Sequence, residues 1–186
     1  DVVDEKFLSD LLQSKDHHVR AGAIRVLSLW LPRLTTPIEY LRAGVADAHP
    51  RVRLEAVRAL ALIPSVEAAT LALQVLDKPV DRFLDFAVWQ AMRDLEPHWL
   101  PAVRDGRSDL GGNVDHLTFA LKAVESPGVV EPLLNLIRQN KVTAERADSI
   151  LSLIASLGGP KELGTVYSML LDKNSNLSPE TRASLL

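Results

Sequence analysis

Cysteine is absent from the 186-residue chain, which removes thiolate metal sites, cysteine nucleophiles, iron–sulfur clusters and CxxCH haem attachment from this stretch. Aromatic residues are scarce at 5%. No run of 18 apolar residues occurs, so no segment reads as a bilayer-spanning helix. An excess of one charge is missing too. Its 21 basic and 24 acidic residues leave a net charge of −3, which gives no strong global attraction to nucleic acid or to an anionic membrane. The opening residues DVVDEKFLSD are acidic where a secretory signal needs a basic start and an apolar centre. What the chain does have is aliphatic residues. At 47% hydrophobic it is neither a disordered chain nor a disulfide scaffold, and its length suits one domain or a short repeat array.

The aliphatic residues recur. HHVRAGAIRVLSLW from His17 aligns with PRVRLEAVRALALI from Pro50 at an offset of 33, with six identities in fourteen positions. Val19 meets Val52, Arg20 meets Arg53, Ala23 meets Ala56, Arg25 meets Arg58, Leu27 meets Leu60 and Leu29 meets Leu62. Weaker copies are anchored at Ala87, Ala120, Ala147 and Ala183, with successive anchor spacings of 33, 31, 33, 27 and 36. Within a copy the period is helical: Val52, Ala56, Val57, Leu60 and Ile63 share one face. Sustained alternation of apolar and polar residues is absent, which argues against strands.

A second apolar segment follows each anchored helix, beginning at Pro37, Val66, Pro97, Val129 and Glu162, and each is preceded by turn residues. Proline near a helix start is tolerated because the first amides have no intrahelical partner, and Gly158 is placed to end a helix. Each unit therefore reads as helix A, tight turn, helix B, loop. Neither helix can bury its apolar stripe alone, and stacking the pairs supplies one continuous core. The expected division is a single repeat domain over 1–186, with approximate units 1–14 (half), 15–47, 48–78, 79–110, 111–140, 141–174 and 175–186 (partial). The apolar ending Ala183, Leu185, Leu186 and the half units suggest a segment of a larger polypeptide.

Asp47-Ala48-His49-Pro50-Arg51-Val52-Arg53, followed by Ala56 and Leu60, resembles a HEAT repeat, a family with an Asp in the inter-repeat turn six residues before an Arg of helix A. The first unit departs from the pattern, with Ser14 at the Asp position and Asp16 two residues later, while Val19-Arg20 is kept. Later units put Leu84, Leu117 and Ala144 in place of the Arg. The tetratricopeptide pattern is not present. The resemblance implies an all-α fold, a right-handed α-α superhelix of the HEAT/armadillo kind with about five stacked helix pairs. It is specific for fold and nearly silent on function. A narrower likeness concerns Leu76 to Val103, which resembles a helical region of large bacterial dehydrogenases of the sugar/sorbosone type that also carry a haem c domain. That likeness implies a spacer between redox domains without a cofactor of its own, periplasmic or membrane-associated. Without it the expectation is cytoplasmic.

Chemistry-bearing residues are few. His17, His18, His49, His98 and His116 include no i, i+4 pair on one helix and no CxxC partner, so they read as tolerated polar residues and no metal is expected. Asp115 reads as the N-cap of the helix that carries His116. Asp105, Asp109, Asn113 and Asp115 lie in the longest irregular stretch but lack the calcium-loop spacing and its closing Glu, which suggests a solvated loop. Gly111-Gly112 and Gly158-Gly159 lack the spacing of a phosphate cradle. No catalytic residue, cofactor site or metal site is expected, and the segment reads as non-enzymatic.

Arginine outnumbers lysine 14 to 7, and Arg20/Arg53 and Arg25/Arg58 recur one repeat apart. The simplest role is a structural ladder of Asp47, Arg53 and Arg20, with Arg53 satisfying turn and helix-end carbonyls. The other is an anion-binding stripe, as in a nucleic-acid-binding or DNA-repair solenoid, against which Glu39, Glu67, Glu131 and Glu162 on the B helices argue. Trp89 reads as core or as packing between repeats. Trp99, between Pro97 and Pro101, reads as the best exposed contact residue, with Tyr40 second. The expectation is thus a scaffold for a protein partner or for neighbouring domains, not for nucleic acid or membrane. Its surface is expected on the B helices at Tyr40, Arg42, Gln74, His98, Trp99, Arg104, Asn135 and Arg138.

Overall fold

A computed structural model of the chain describes residues 3–139 and 144–172, with the side chains of 144–149 and 170 excepted. Among the described residues there are eleven α-helices and no strand. They are α1 (Glu5–Leu12), α2 (His17–Trp30), α3 (Pro37–Val45), α4 (Pro50–Leu60), α5 (Val66–Leu73), α6 (Arg82–Asp94), α7 (Glu96–Arg104), α8 (Val114–Val124), α9 (Val130–Arg138), α10 (Ala144–Leu157) and α11 (Pro160–Leu171). After α1 the helices follow one another as five A–B pairs, from α2–α3 to α10–α11, the all-α repeat architecture that the aliphatic periodicity requires. The copy expected around Arg182 and Ala183 lies outside the described residues, as does the side chain of Ala147. The chain forms two compact units, Asp1–Trp99 and Leu100–Leu186.

In the first unit α2 packs on α4 and α4 on α6, while α1 and α3 pack against α2, and α3 against α4 and α5. The stripe Val52, Ala56, Val57 and Leu60 is buried, as are its counterparts Ala23, Ile24 and Leu27. Side chains close the helix starts: Asp4 accepts from the Phe7 amide at 2.9 Å, Ser65 from Ala68 at 3.0 Å, and Asp81 from Phe83 and Leu84 at 3.0 and 2.8 Å. Pro37 and Pro50 take the first position of α3 and α4, where no amide is missed. Gly44 lets α3 approach closely, since a Cβ there would stand 2.7 Å from Ile24 Cδ1 and 3.1 Å from Ala56 Cβ.

In the second unit α9 packs on α8, α10 and α11, and α10 on α11. Leu121, Leu133, Leu134, Ile150, Leu151 and Ile154 are buried there. One expectation needs correction. Asn113, not Asp115, caps α8: its Oδ1 accepts from the Asp115 amide at 2.9 Å, and Asp115 stands in the first turn. The stretch before α8 is exposed at Asp105, Asp109, Asn113 and Asp115, as expected of a solvated loop, but one residue turns inward. Leu110 is fully buried and holds the left-handed conformation at φ 52°, flanked by Gly106, Gly111 and Gly112 at φ 70°, 89° and 77°. Its apolar side chain pins a backbone path that glycines make accessible.

Candidate functional site

The junction between repeats is built from two arginines used in the same way. Arg20 Nη1 donates to the carbonyls of Ser14 and Lys15 at 2.8 and 3.1 Å, six and five residues before it. Arg53 Nη1 does the same to Asp47 and Ala48 at 2.9 and 3.0 Å. Each guanidinium also reaches the next turn along the chain. Arg20 forks onto the Asp47 carboxylate, Nε to Oδ2 at 2.7 Å and Nη2 to Oδ1 at 2.9 Å, whereas Arg53 Nη2 takes the Pro79 carbonyl at 2.7 Å. Asp47 therefore gives its carboxylate to Arg20 and its backbone carbonyl to Arg53. Burial raises the Asp47 pKa, but the bonds from Arg20 and from the His49 amide outweigh it and hold the carboxyl below the usual 3.8. Arg53 is 3% exposed, and its Nε is buried without a partner. The physical reason is local: 27 residues after Arg53, the separation at which Asp47 follows Arg20, stands Val80, which has no carboxylate to offer.

Ser14, in the Asp position of the first unit, makes the same turn. Its Oγ accepts from the Asp16 amide at 3.2 Å, as Asp47 Oδ1 accepts from His49 at 2.8 Å. Asp16 and His49 then cap α2 and α4. The turns also meet through their rings, with His17 stacked on His49 at 3.6 Å and tilted to His18 at 3.9 Å. Partial burial, then the neighbouring His18 and His49, hold the His17 imidazole below its usual 6.5, against the opposing pull of Asp16. Asp16, His17 and His18 offer ligand atoms within 4.8 Å of one another, a proximity that helical spacing alone did not anticipate. The Asp16 oxygen nearest the rings already accepts the His18 amide at 2.8 Å.

The residues expected to form a partner surface are placed as follows. In the first unit Tyr40 is half-buried and donates its hydroxyl to Glu5 Oε2 at 2.7 Å, a bond that raises the phenol pKa. Arg42 is exposed and joins Glu39 at 3.1 Å and Glu67 at 2.6 Å, tying α3 to α5. Gln74 and His98 are exposed. Trp99 is not an exposed contact residue: it has no exposure, and its indole N–H donates to the Met92 carbonyl at 2.9 Å. The flanking prolines suggested an irregular surface stretch, but α7 runs through Pro101 and turns the indole into the core. In the second unit Arg104 and Asn135 line one groove of about 430 Å³, walled in part by the pinned loop at Gly106 to Asp109. Arg138 joins Asn135 at 3.0 Å and Glu131 at 2.7 Å.

A different set was missed. Trp89 is half-buried rather than core, stacked on Phe86 at 5.6 Å between ring centroids, with the Arg93 guanidinium 4.7 Å over its ring. Glu55 on α4 is buried, yet its carboxylate meets Arg25 at 2.6 Å, Arg58 at 3.5 Å and Arg51 at 3.7 Å. Leu29, Leu62, Phe83 and Phe86 are exposed and line a groove of about 820 Å³ across α2, α4 and α6. The recurrence of Arg25/Arg58 and Leu29/Leu62 was the available signal. No helix among the described residues is long and apolar enough to cross a membrane.

Comparison with known proteins agrees with the repeat geometry. No curated protein and no solved structure matches the chain. The family model of HEAT repeats matches residues 5–93, the part of the chain that holds the Arg20–Asp47–Arg53 junction, and so supports a HEAT-repeat family for this chain.

Proposed function

We propose that the chain is a non-catalytic HEAT-repeat scaffold that binds a protein partner. The observation that carries this reading is the exposure of Leu29, Leu62, Phe83 and Phe86 together on one face of three adjacent helices, because contiguous apolar patches on repeat proteins mark contact surfaces. The charges support a protein rather than a nucleic acid. Arg42 is matched by Glu39 and Glu67, Arg138 by Glu131, Arg20 by Asp47, and Arg53 is spent on backbone carbonyls. That leaves no basic stripe on these positions to track a phosphate backbone, and the remaining arginines of α2 and α4, Arg25, Arg51 and Arg58, gather on the Glu55 carboxylate.

A narrower form of the reading has the chain spacing neighbouring domains of a larger polypeptide. If the resemblance read in the sequence of residues 76–103 holds, those neighbours are redox domains. The B-helix residues Tyr40, Arg42, Gln74 and His98, and in the second unit Arg104, Asn135 and Arg138, are a second candidate surface. The test is a parallel screen of the purified chain against displayed protein fragments and against 20-mer single- and double-stranded oligonucleotides. Micromolar or tighter binding of a protein fragment, with none of the oligonucleotides, is the expected result. The opposite pattern sinks the scaffold reading in favour of a nucleic-acid-binding module.

A further inference from the structure

The first unit keeps large apolar side chains outside its core. Leu29 at the end of α2 is 76% exposed, Leu62 just after α4 is 63%, and Phe83 and Phe86 on α6 are 60% and 61%. All four line the groove of about 820 Å³ described above. Arg25, Arg58, Glu55 and, at its far end on α6, Asp94 line it too, and a smaller hollow of about 260 Å³ shares Arg25 and Glu55 with it and adds Arg51. Here one buried carboxylate faces three guanidinium groups, whose side chains are all more than half exposed. With the Asp94 carboxylate counted, the apolar trough adjoins a local surplus of one positive charge, concentrated at Arg25, Arg51 and Arg58.

We propose that this groove docks an acidic amphipathic helix of a partner protein. Its apolar stripe lies along Leu29, Leu62, Phe83 and Phe86, and a carboxylate sits against Arg25, Arg51 and Arg58. The proposal rests on the scaffold reading and names the partner's chemistry. Three arguments select this occupant. An apolar wall cannot pair the amides of an extended segment, and the described residues offer no strand edge, whereas a helix satisfies its own backbone and presents side chains at i, i+3, i+4 and i+7. The cluster holds one carboxylate for three guanidiniums, so a further carboxylate finds bidentate, partly desolvated partners. A second copy of the chain would bring the same positive surplus to the face, which disfavours self-association there.

Selection of a helical-peptide display library on the purified chain tests the proposal. The expected winners carry apolar residues at helical spacing with Asp or Glu on one flank. Leu62→Glu and Phe86→Glu should each weaken their binding about tenfold or more, while Lys161→Ala, at an exposed position of α11, leaves it unchanged. The double change Arg25→Glu and Arg58→Glu should remove or invert the preference for acidic flanks. All these positions are exposed, and circular dichroism checks the fold; Leu62→Ser serves if Leu62→Glu unfolds. Winners without an acidic flank, binding indifferent to Leu62→Glu, or a chain dimer broken by Leu62→Glu would each overturn the proposal. Peptides that map instead to Tyr40 and Arg42 overturn the groove and keep the scaffold. Failure of every protein ligand overturns both.

Discussion

Replacing Arg53 by alanine removes one buried guanidinium from three backbone carbonyls, those of Asp47, Ala48 and Pro79. Hydrogen bonds from a charged donor are worth roughly 1.5–3 kcal/mol each in mutational series, so a simple sum reaches about 4.5–9 kcal/mol. That sum is an upper bound, because the contributions share one side chain and are not additive. Ala48 and Pro79 are exposed and Asp47 is half-buried, so water replaces part of what is lost. The alanine also abolishes the unpaired Nε. We expect a loss of about 3 kcal/mol, still large against the stability of a small repeat unit. Arg53→Lys should recover less than half of it, since a single ammonium cannot span carbonyls from two turns. Urea unfolding followed by circular dichroism measures both, with Gln74→Ala as an exposed reference expected to cost under about 0.5 kcal/mol. A loss from Arg53→Ala no larger than that of Gln74→Ala would refute the ladder and free Arg53 for a functional role.

Three further outcomes follow from the same contacts. Val80→Asp places a carboxylate 27 residues after Arg53, as Asp47 follows Arg20, and should stabilise the chain by about 1 kcal/mol in urea unfolding, a gain that vanishes in an Arg53→Met background. Trp99→Ala should cost about 3–5 kcal/mol by emptying a fully buried site that also holds the Met92 carbonyl, and thermal melting should show the loss with no partner present. The His17 pKa is lowered on folding, so its contribution is complete above the unfolded value of 6.5 and is lost as pH falls through the folded value. Melting temperatures between about pH 5 and 8 should therefore rise with pH, and His17→Gln should flatten that rise; an unchanged slope would show that His17 does not couple to folding in this range.

The helices of the first unit were legible because their buried positions repeat. Val52, Ala56, Val57 and Leu60 stand out in one copy and are confirmed by Ala23, Ile24 and Leu27 in the other, and all of them are buried. The arginine in the turn was legible as a type of contact but not as a wiring diagram. Sequence spacing pairs Asp47 with Arg53 six residues on, whereas the carboxylate reaches back to Arg20, 27 residues earlier. Which group a fork selects depends on where the preceding repeat ends, and only stacking fixes that. Trp99 failed for a related reason. Pro97 and Pro101 mark the stretch as irregular, but the rotation of a nine-residue helix is set by what its indole N–H can reach, here the Met92 carbonyl.

The missed groove shows a limit of arguing from recurrence in a repeat array. Every face of a repeating helix recurs, so the identity of Leu29 with Leu62 says that the position is shared, not that it is buried. The angle decides. Leu29 follows Ile24 by five residues on α2, which at 100° per residue puts it about 140° from a core position, and Leu62 stands in the turn just after α4 ends at Leu60. Ile24 and Val57 have no exposure, while Leu29 and Leu62 are among the most exposed apolar side chains described. An apolar residue that recurs and also lies off the core stripe costs solubility in each copy without contributing to the fold of either. On the scaffold reading, a contact made outside the chain is what that recurrence serves. Glu55 obeys the same logic. A carboxylate buried under three arginines costs desolvation, and its position beside the leucines ties the charge surplus to the apolar trough. Recurrence combined with angular displacement from the core is therefore the signal by which this face could have been found before any coordinates.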